Sequence, residues 1–259
     1  MDKLLDLAIH CAFESGKIQR KYFEKNINIR HKGETDLVTD VDMACQEKII
    51  GIIKEAFPDD DVISEEKKND FEGIKNRWII DPLDGTTNYA HGYPFFCTSI
   101  AYETNGQITH GVVYNPIFNE LFFGKKGEGA YLNGEKIRIS SVHDLKQALL
   151  STGFPYNIAT IERNNIDHFL NFLFKAQAVR RDGSAALNLC YVACGRFDAF
   201  WELSLNSWDM AAGCLMVSEA GGTLTNLQGD EFSVYKDTIV ASNGIIHKDM
   251  LAALNETKL

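Results

Sequence analysis

The sequence predicts a layered α+β protein, with a largely antiparallel sheet in its N-terminal half and a mixed sheet flanked by helices in its C-terminal half. Three observations support this. Apolar residues recur at helical spacing near the N-terminus. Strand-like runs separated by turn signals fill residues 94–139. After residue 145 helix and strand patterns alternate. The expected division of the chain is into residues 1–144 and 145–259.

Leu4, Leu5, Ala8, Ile9, Ala12 and Phe13 mark one face of an amphipathic helix, with Asp2 as its cap or first-turn acid. A second helix begins at Asp40-Val41-Asp42 and stops near Phe57-Pro58, and Val62-Ile63 is a short strand that delivers Ser64-Glu65-Glu66. Lys67 to Gly73 reads as a charged loop before the strand Trp78-Ile79-Ile80. Phe95 to Ala101, Gly111 to Tyr114 and Glu120 to Phe123 read as strands, with turns at Asn105-Gly106 and Asn115-Pro116. Asn133-Gly134, between Ala130-Tyr131-Leu132 and Ile137-Arg138-Ile139, is the strongest hairpin signal in the chain. Beyond it, Leu149 to Gly153 resembles a strand ending, Ile166 to Phe174 a helix, and Ser184 caps a helix through Leu189. Phe197 to Trp201 returns to strand. Asp209 to Glu219 is a helix stopped by Gly221-Gly222, and strands near Leu224 and Ile239 precede a last helix near Lys248.

Composition narrows the function. With 26 Lys+Arg against 36 Asp+Glu the formal charge is −10, which disfavours nonspecific nucleic-acid binding and anionic membranes. An anionic substrate would need a local counter-field, and bound cations supply one. The six cysteines form no CxxC pair and read as buried free thiols. No apolar window reaches the ~18 residues of a membrane span, and the N-terminus lacks a basic segment followed by an apolar one, so the expected location is the cytoplasm.

The chemistry concentrates in Asp81-Pro82-Leu83-Asp84-Gly85-Thr86-Thr87-Asn88. Two carboxylates at a strand's end, beside amides freed by a turn, can hold a divalent cation and a phosphate together. Pro82 restricts the backbone between them, and a turn carbonyl such as that of Leu83 adds a neutral oxygen. Gathered with Glu66 and Asp209, these acids would repel one another unless divalent cations intervened, and two cations suit in-line displacement at phosphorus. A DxxD pair alone also occurs at helix caps and calcium-like loops. Asp84 reads equally as an N-cap, and Asp209 as a cap of its own helix.

Together with Glu65-Glu66 and Trp208-Asp209-Met210-Ala211-Ala212-Gly213, this segment resembles the signature elements of the inositol monophosphatase family, bacterial type. Asp36-Leu37-Val38-Thr39 with Asp42, Lys126-Gly127-Glu128-Gly129-Ala130 with Asn133-Gly134, Gly183-Ser184-Ala185-Ala186 and Glu219-Ala220-Gly221-Gly222 are similar to the rest of its pattern, in order over about the whole chain. The resemblance implies an αβαβα sugar-phosphatase fold and a lithium-sensitive, Mg²⁺-dependent phosphoric monoester hydrolase. By resemblance, Glu66, Asp81 and the Leu83 carbonyl would hold one Mg²⁺, Asp81, Asp84 and Asp209 a second, and Glu66 would support a weaker third. Thr86, linked to Asp42, would orient the attacking water with Glu65 nearby. The amides of Gly85 and Thr86 would receive phosphate. Asp84, Glu202 and the Ala185 amide match positions that bind ring hydroxyls.

Arg181, in Arg180-Arg181, is open to several readings: a second phosphate, a subunit interface or water. The favoured substrate is myo-inositol monophosphate. The alternatives are fructose 1,6-bisphosphate, a nucleotide 3′-phosphate, or a regulatory role beside a bacterial transcription complex. The family also implies a homodimer. His91 has no role in this scheme, and the histidines lack zinc-ligand spacing.

Overall fold

The computed structural model describes residues 2–25, 29–31, 37–65 and 76–256. Helix α1 (Lys3–Tyr22) starts at Asp2, whose carboxylate accepts from the amides of Leu4 and Leu5. A short antiparallel pair, β1 (Ile29–His31) and β2 (Leu37–Thr39), leads into α2 (Asp40–Ala56). The strand β3 (Asp61–Ser64) runs parallel to β4 (Asn76–Asp84), which ends against α3 (Thr86–Ala90). An antiparallel meander follows: β5 (Cys97–Thr104), β6 (Gln107–Asn115), β7 (Glu120–Lys125), β8 (Gly129–Leu132) and β9 (Glu135–Lys136). Together β3 to β9 form a seven-stranded sheet in chain order.

After a 3₁₀ turn at Leu145–Gln147 come β10 (Leu149–Thr152), α4 (Ile166–Lys175), β11 (Ala178–Arg180), α5 (Ala185–Ala193) and β12 (Ala199–Leu203). Then α6 (Ser207–Glu219), β13 (Thr223–Thr225), β14 (Thr238–Ser242) and α7 (His247–Leu254) complete the described chain. The second sheet has the order β11-β10-β12-β14-β13, with parallel and antiparallel pairs.

Strand alternation stacks these elements into five layers. Trp78, Ile80, Ile100, Tyr102 and Val112 face α1 and α2, where they meet Ala8, Ala12, Ile49 and Ile53. Their neighbours Ile79, Ala101 and Val113 face the opposite way, onto α5 and α6. Phe200, Ile239 and Ala241 of the second sheet pack on that same helical layer, while Ala199, Trp201 and Val240 turn to Phe172 of α4 and Met250 of α7. The order is therefore αβαβα. The middle helix α6 is buried from Met210 to Val217, and a Cβ added at Gly213 would stand 2.6 Å from Leu189 Cβ, so α5 and α6 touch through that glycine.

Several sequence expectations need correction. The second arm of the Asn133-Gly134 hairpin is β9 at Glu135–Lys136, not Ile137–Ile139, because the Ile139 amide leaves the sheet to donate to Ala220 O. Asp84 does not cap α3: Gly85 occupies that position with φ of 96°. The cap of α6 is Asn206, with Asp209 as the reciprocal acid of a capping box. Strands β1, β2 and β11 were not anticipated. All six cysteines are free, as expected. Among the described residues no helix is long and apolar enough to cross a membrane.

Candidate active site

The end of β4 is where the sheet stops being regular. Pairing with β5 is broken between Asp81 and Asp84, since Pro82 has no amide to donate. Its carbonyl is taken up by Gln19 Nε2 at 2.8 Å and Thr98 Oγ1 at 3.1 Å, with Ser15 Oγ at 3.4 Å. Gln19 and Ser15 are polar residues on the buried face of α1, so α1 braces the kink. Asp81 Oδ1 accepts from the Leu83 amide at 2.9 Å, which closes the turn from within.

Gly85 follows in a left-handed conformation that side chains rarely adopt. A Cβ there would also stand 3.0 Å from Phe95 O and 3.3 Å from Gly183 O. The turn thus lets α3 begin at the cleft wall. The Thr86 hydroxyl has two acceptors in reach, Asp42 Oδ1 at 2.9 Å and Leu83 O at 3.0 Å. Asp42, buried behind Thr86, holds the capping box of α2 with its other oxygen, accepting from the amide and hydroxyl of Thr39.

Asp84 points across the molecule. Its Oδ2 accepts from Ser184 Oγ at 2.6 Å and the Ala186 amide at 2.8 Å, and Cys97 Sγ is 3.8 Å away. The Ala185 amide is directed to the same carboxylate, so a ring hydroxyl reaching that amide would share it with Asp84. Asp209 enters from α6, with Oδ2 accepting from the Asn206 amide at 2.7 Å.

One cleft of about 320 Å³ is lined by Glu65, Asp81, Leu83, Asp84, Gly85, Thr86, Arg181, Ala185, Glu202 and Asp209. Every expected site residue within the described chain is therefore at this cleft or, like Asp42, in contact with its wall. Glu66 and Asp36 lie outside the described residues. His91 is not among the lining residues.

The chain matches the inositol monophosphatase family model over residues 1–259. It belongs to the inositol monophosphatase family. It is 42% identical to inositol monophosphatase 3 of Solanum lycopersicum, over 99% of this chain and 98% of that one. It is 39% identical to the Nus factor SuhB of Pseudomonas aeruginosa, over 98% and 96%. It superposes on the solved inositol monophosphatase of Anabaena (Nostoc) with a TM-score of 0.89 and 38% identity, covering 97% and 95% of the two chains. Membership makes the chain a phosphoric monoester hydrolase of a metal-dependent family.

The electrostatics of this family member fit a cation site. Burial pushes the Asp81 carboxyl well up, and Glu65, Asp84 and Asp209 push it further. Burial raises Asp84 too, against the Ser184 hydroxyl and the α5 amides, which hold it down. Asp209 is raised by burial and by Asp84. Glu202 is pushed up to about 8 by burial, Asp209 and Asp84, with Arg181 opposing. Such a cluster stays ionised at neutral pH when a divalent charge neutralises it, and an all-oxygen donor set suits a small hard cation such as Mg²⁺. Among the described residues no three His, Cys, Asp or Glu side chains already form a ligating group. Asp81, Asp84 and Asp209 each turn an oxygen to a backbone amide instead.

Several residues of this family site gave no sequence signal. Gly153, Phe154, Pro155, Tyr156 and Asn157 form a cleft wall after β10, and Ser204 to Asn206 form another after β12. Ser15 and Gln19 were findable, since they interrupt an apolar helical face at its own spacing.

Proposed function

We propose that this protein hydrolyses a small phosphorylated polyol, first of all myo-inositol monophosphate, in a Mg²⁺-dependent reaction. The observation that carries the reading is the meeting of Asp81 and Asp84 from β4 with Asp209 from α6 in a cleft that also holds Glu202 and Ala185. Glu66, Asp81 and the Leu83 carbonyl would hold one Mg²⁺, Asp81, Asp84 and Asp209 a second, and Glu66 would support a third. Bound there, the cations neutralise the phosphate dianion and lower the pKa of water.

The chain's own groups do the rest. The Gly85 and Thr86 amides receive phosphate oxygens at the cleft wall. Thr86 has a single hydroxyl proton; committed to Asp42, it leaves its lone pairs to fix a water in line with phosphorus. Glu65 stands beside Asp81 as a further acid. Glu202, Asp84 and the Ala185 amide take the polyol's hydroxyls, because a carboxylate accepts from adjacent O–H groups. Arg181 opposes the upward push on the Glu202 carboxyl and offers a cationic wall to a second phosphate. That arginine is the reason a sugar bisphosphate stays in the reading as an alternative, with a nucleotide 3′-phosphate beside it.

In this reading the protein is a cytoplasmic, lithium-sensitive homodimer whose halves are residues 1–144 and 145–259. The 39% identity to a Nus factor favours a second role, as a protein partner of a transcription complex. Catalytic efficiencies with Mg²⁺ for inositol 1-phosphate, fructose 1,6-bisphosphate, 3′-phosphoadenosine 5′-phosphate and NADP test the substrate. A preference for inositol 1-phosphate is expected. Negligible turnover of all four overturns the hydrolase reading.

A further inference from the structure

Asn165 is a buried asparagine that does not line the cleft, and each polar atom of its side chain has two neighbours within hydrogen-bonding distance. Its Nδ2 donates to Thr152 Oγ1 at 2.8 Å and to Gly153 O at 2.7 Å. Its Oδ1 accepts from Trp201 Nε1 at 2.7 Å and faces His168 Nδ1 at 3.2 Å. The orientation is not arbitrary. An indole nitrogen only donates and a carbonyl only accepts, so the oxygen must face Trp201 and the nitrogen Gly153. Thr152 continues the chain of bonds by donating to Trp201 O at 2.6 Å. The residue is 3% exposed and adopts φ of 72°, a conformation asparagine tolerates better than most side chains.

These bonds tie three pieces of chain together. Gly153 opens the segment whose first five residues wall the cleft, Asn165 closes that segment at the start of α4, and Trp201 precedes Glu202 on β12. The packing at the junction is close. A Cβ built on Gly153 would stand 2.0 Å from Glu202 Oε1, so the carboxylate rests against a bare Cα. Any shift of the Gly153 backbone away from Trp201 would open that space and free the Glu202 carboxylate.

We propose that Asn165 is a positioning residue for substrate selection: through Gly153 and Trp201 it fixes where Glu202 meets the polyol, without touching the phosphate end of the cleft. This rests on the reading of Glu202 as a hydroxyl acceptor. Substrates carrying hydroxyls beside the phosphate therefore depend on Asn165, and a phosphate ester without them does not.

The test compares the full-length wild type, Asn165→Ala, Trp201→Phe and Glu202→Gln on inositol 1-phosphate and p-nitrophenyl phosphate at saturating Mg²⁺. For Asn165→Ala, KM for inositol 1-phosphate is expected to rise about tenfold, while kcat/KM for p-nitrophenyl phosphate stays within about twofold. Trp201→Phe keeps an aromatic ring and removes the donor, so it should move the same ratio in the same direction. It carries the test if Asn165→Ala does not fold. An equal fall on both substrates, or no change on either, overturns the proposal. If Glu202→Gln itself leaves the ratio between substrates unchanged, the reading of Glu202 falls and this inference with it. If Glu202→Gln moves the ratio and the other two variants do not, only the role of Asn165 is lost.

Discussion

The Thr86 hydroxyl donates to Asp42 Oδ1 over 2.9 Å, joining the first residue of α3 to the first turn of α2. The other oxygen of Asp42 is committed to the amide and hydroxyl of Thr39. One buried carboxylate thus anchors a helix start and directs a proton at the cleft wall. Replacing it with a carboxamide forces a conflict. Turned to keep its oxygen on the Thr39 donors, the new side chain would present N–H groups to Thr86, and the hydroxyl would lose its acceptor there. Asp42→Asn and Thr86→Ala are each expected to lower kcat by about 100-fold, and the double variant by little more, since both remove one unit. Steady-state kinetics on the three variants decide this, and multiplicative losses would refute the coupling.

Charge neutralisation should show a comparable cost. In the proposed reading, Asp84→Asn and Asp209→Asn are each expected to reduce turnover at least ~100-fold, because each would remove charge that a bound cation draws on. Near-normal turnover for both at moderate Mg²⁺ would remove them from the proposed metal set.

Ser184 offers a separable test. It donates to Asp84 Oδ2 at 2.6 Å and accepts from the Leu187 amide at 3.3 Å, so it orients the acid and caps α5. Ser184→Ala is expected to weaken Mg²⁺ binding several-fold by calorimetry, and to cost about 1 kcal/mol as a lost cap. Ser184→Thr should restore both. Loss of stability with unchanged Mg²⁺ affinity would leave Ser184 as a cap alone.

The cleft acids also set a pH dependence. Glu202 titrates near 8 in the folded chain and at about 4.3 when unfolded, so the folded state binds the extra proton between these values. That contribution to stability is full at low pH and is lost as pH rises through 8. The raised carboxyls of Asp81, Asp84 and Asp209 act in the same direction. His168 and His247 act oppositely: burial lowers both, so their contribution grows with pH and is complete above the unfolded imidazole value of about 6.5. Above about pH 6.5 the histidine contribution levels off, and towards pH 8 the raised acids set the direction of the slope. In EDTA, Tm is expected to fall across this window, and Glu202→Gln should flatten the fall. Mg²⁺ should raise Tm more at pH 8 than at pH 6.5. A flat wild-type profile would contradict the assigned burial of negative charge.

The parts of the fold that could be read from sequence are those set by local chemistry. Asn105-Gly106 and Asn133-Gly134 both adopt positive φ at each residue, the geometry a two-residue hairpin demands, so the meander was legible from its turns. Strand β11 was not: two half-exposed residues followed by the exposed Arg180 carry no period. The segment from Asp81 to Thr86 was readable because its donors are contiguous. Ser184 was read as a cap and as part of the Gly183–Ala186 element but not as a partner of Asp84, because that bond spans 100 positions and no local rule reaches that far. The Gly153–Asn157 wall escaped because its residues are uncharged and its role arises only when β10 and β12 pair. Asn165 looks like an ordinary helix-start residue until Trp201 is beside it.

The helix bearing Asp209 packs closely through glycines, two in the large sheet beside it and one of its own. Side chains added at Gly111 and Gly124 of the large sheet would come within 3.1 and 3.2 Å of it, and one added at Gly213 would strike Leu189. Little room is left for drift in this interior, whereas the exposed parts of the walls after β10 and β12, Tyr156-Asn157 and Ser204, are surface connections that can change in length and composition. Laboratory evolution toward new phosphate esters should accordingly accumulate its accepted changes in those two connections and leave the three glycines untouched.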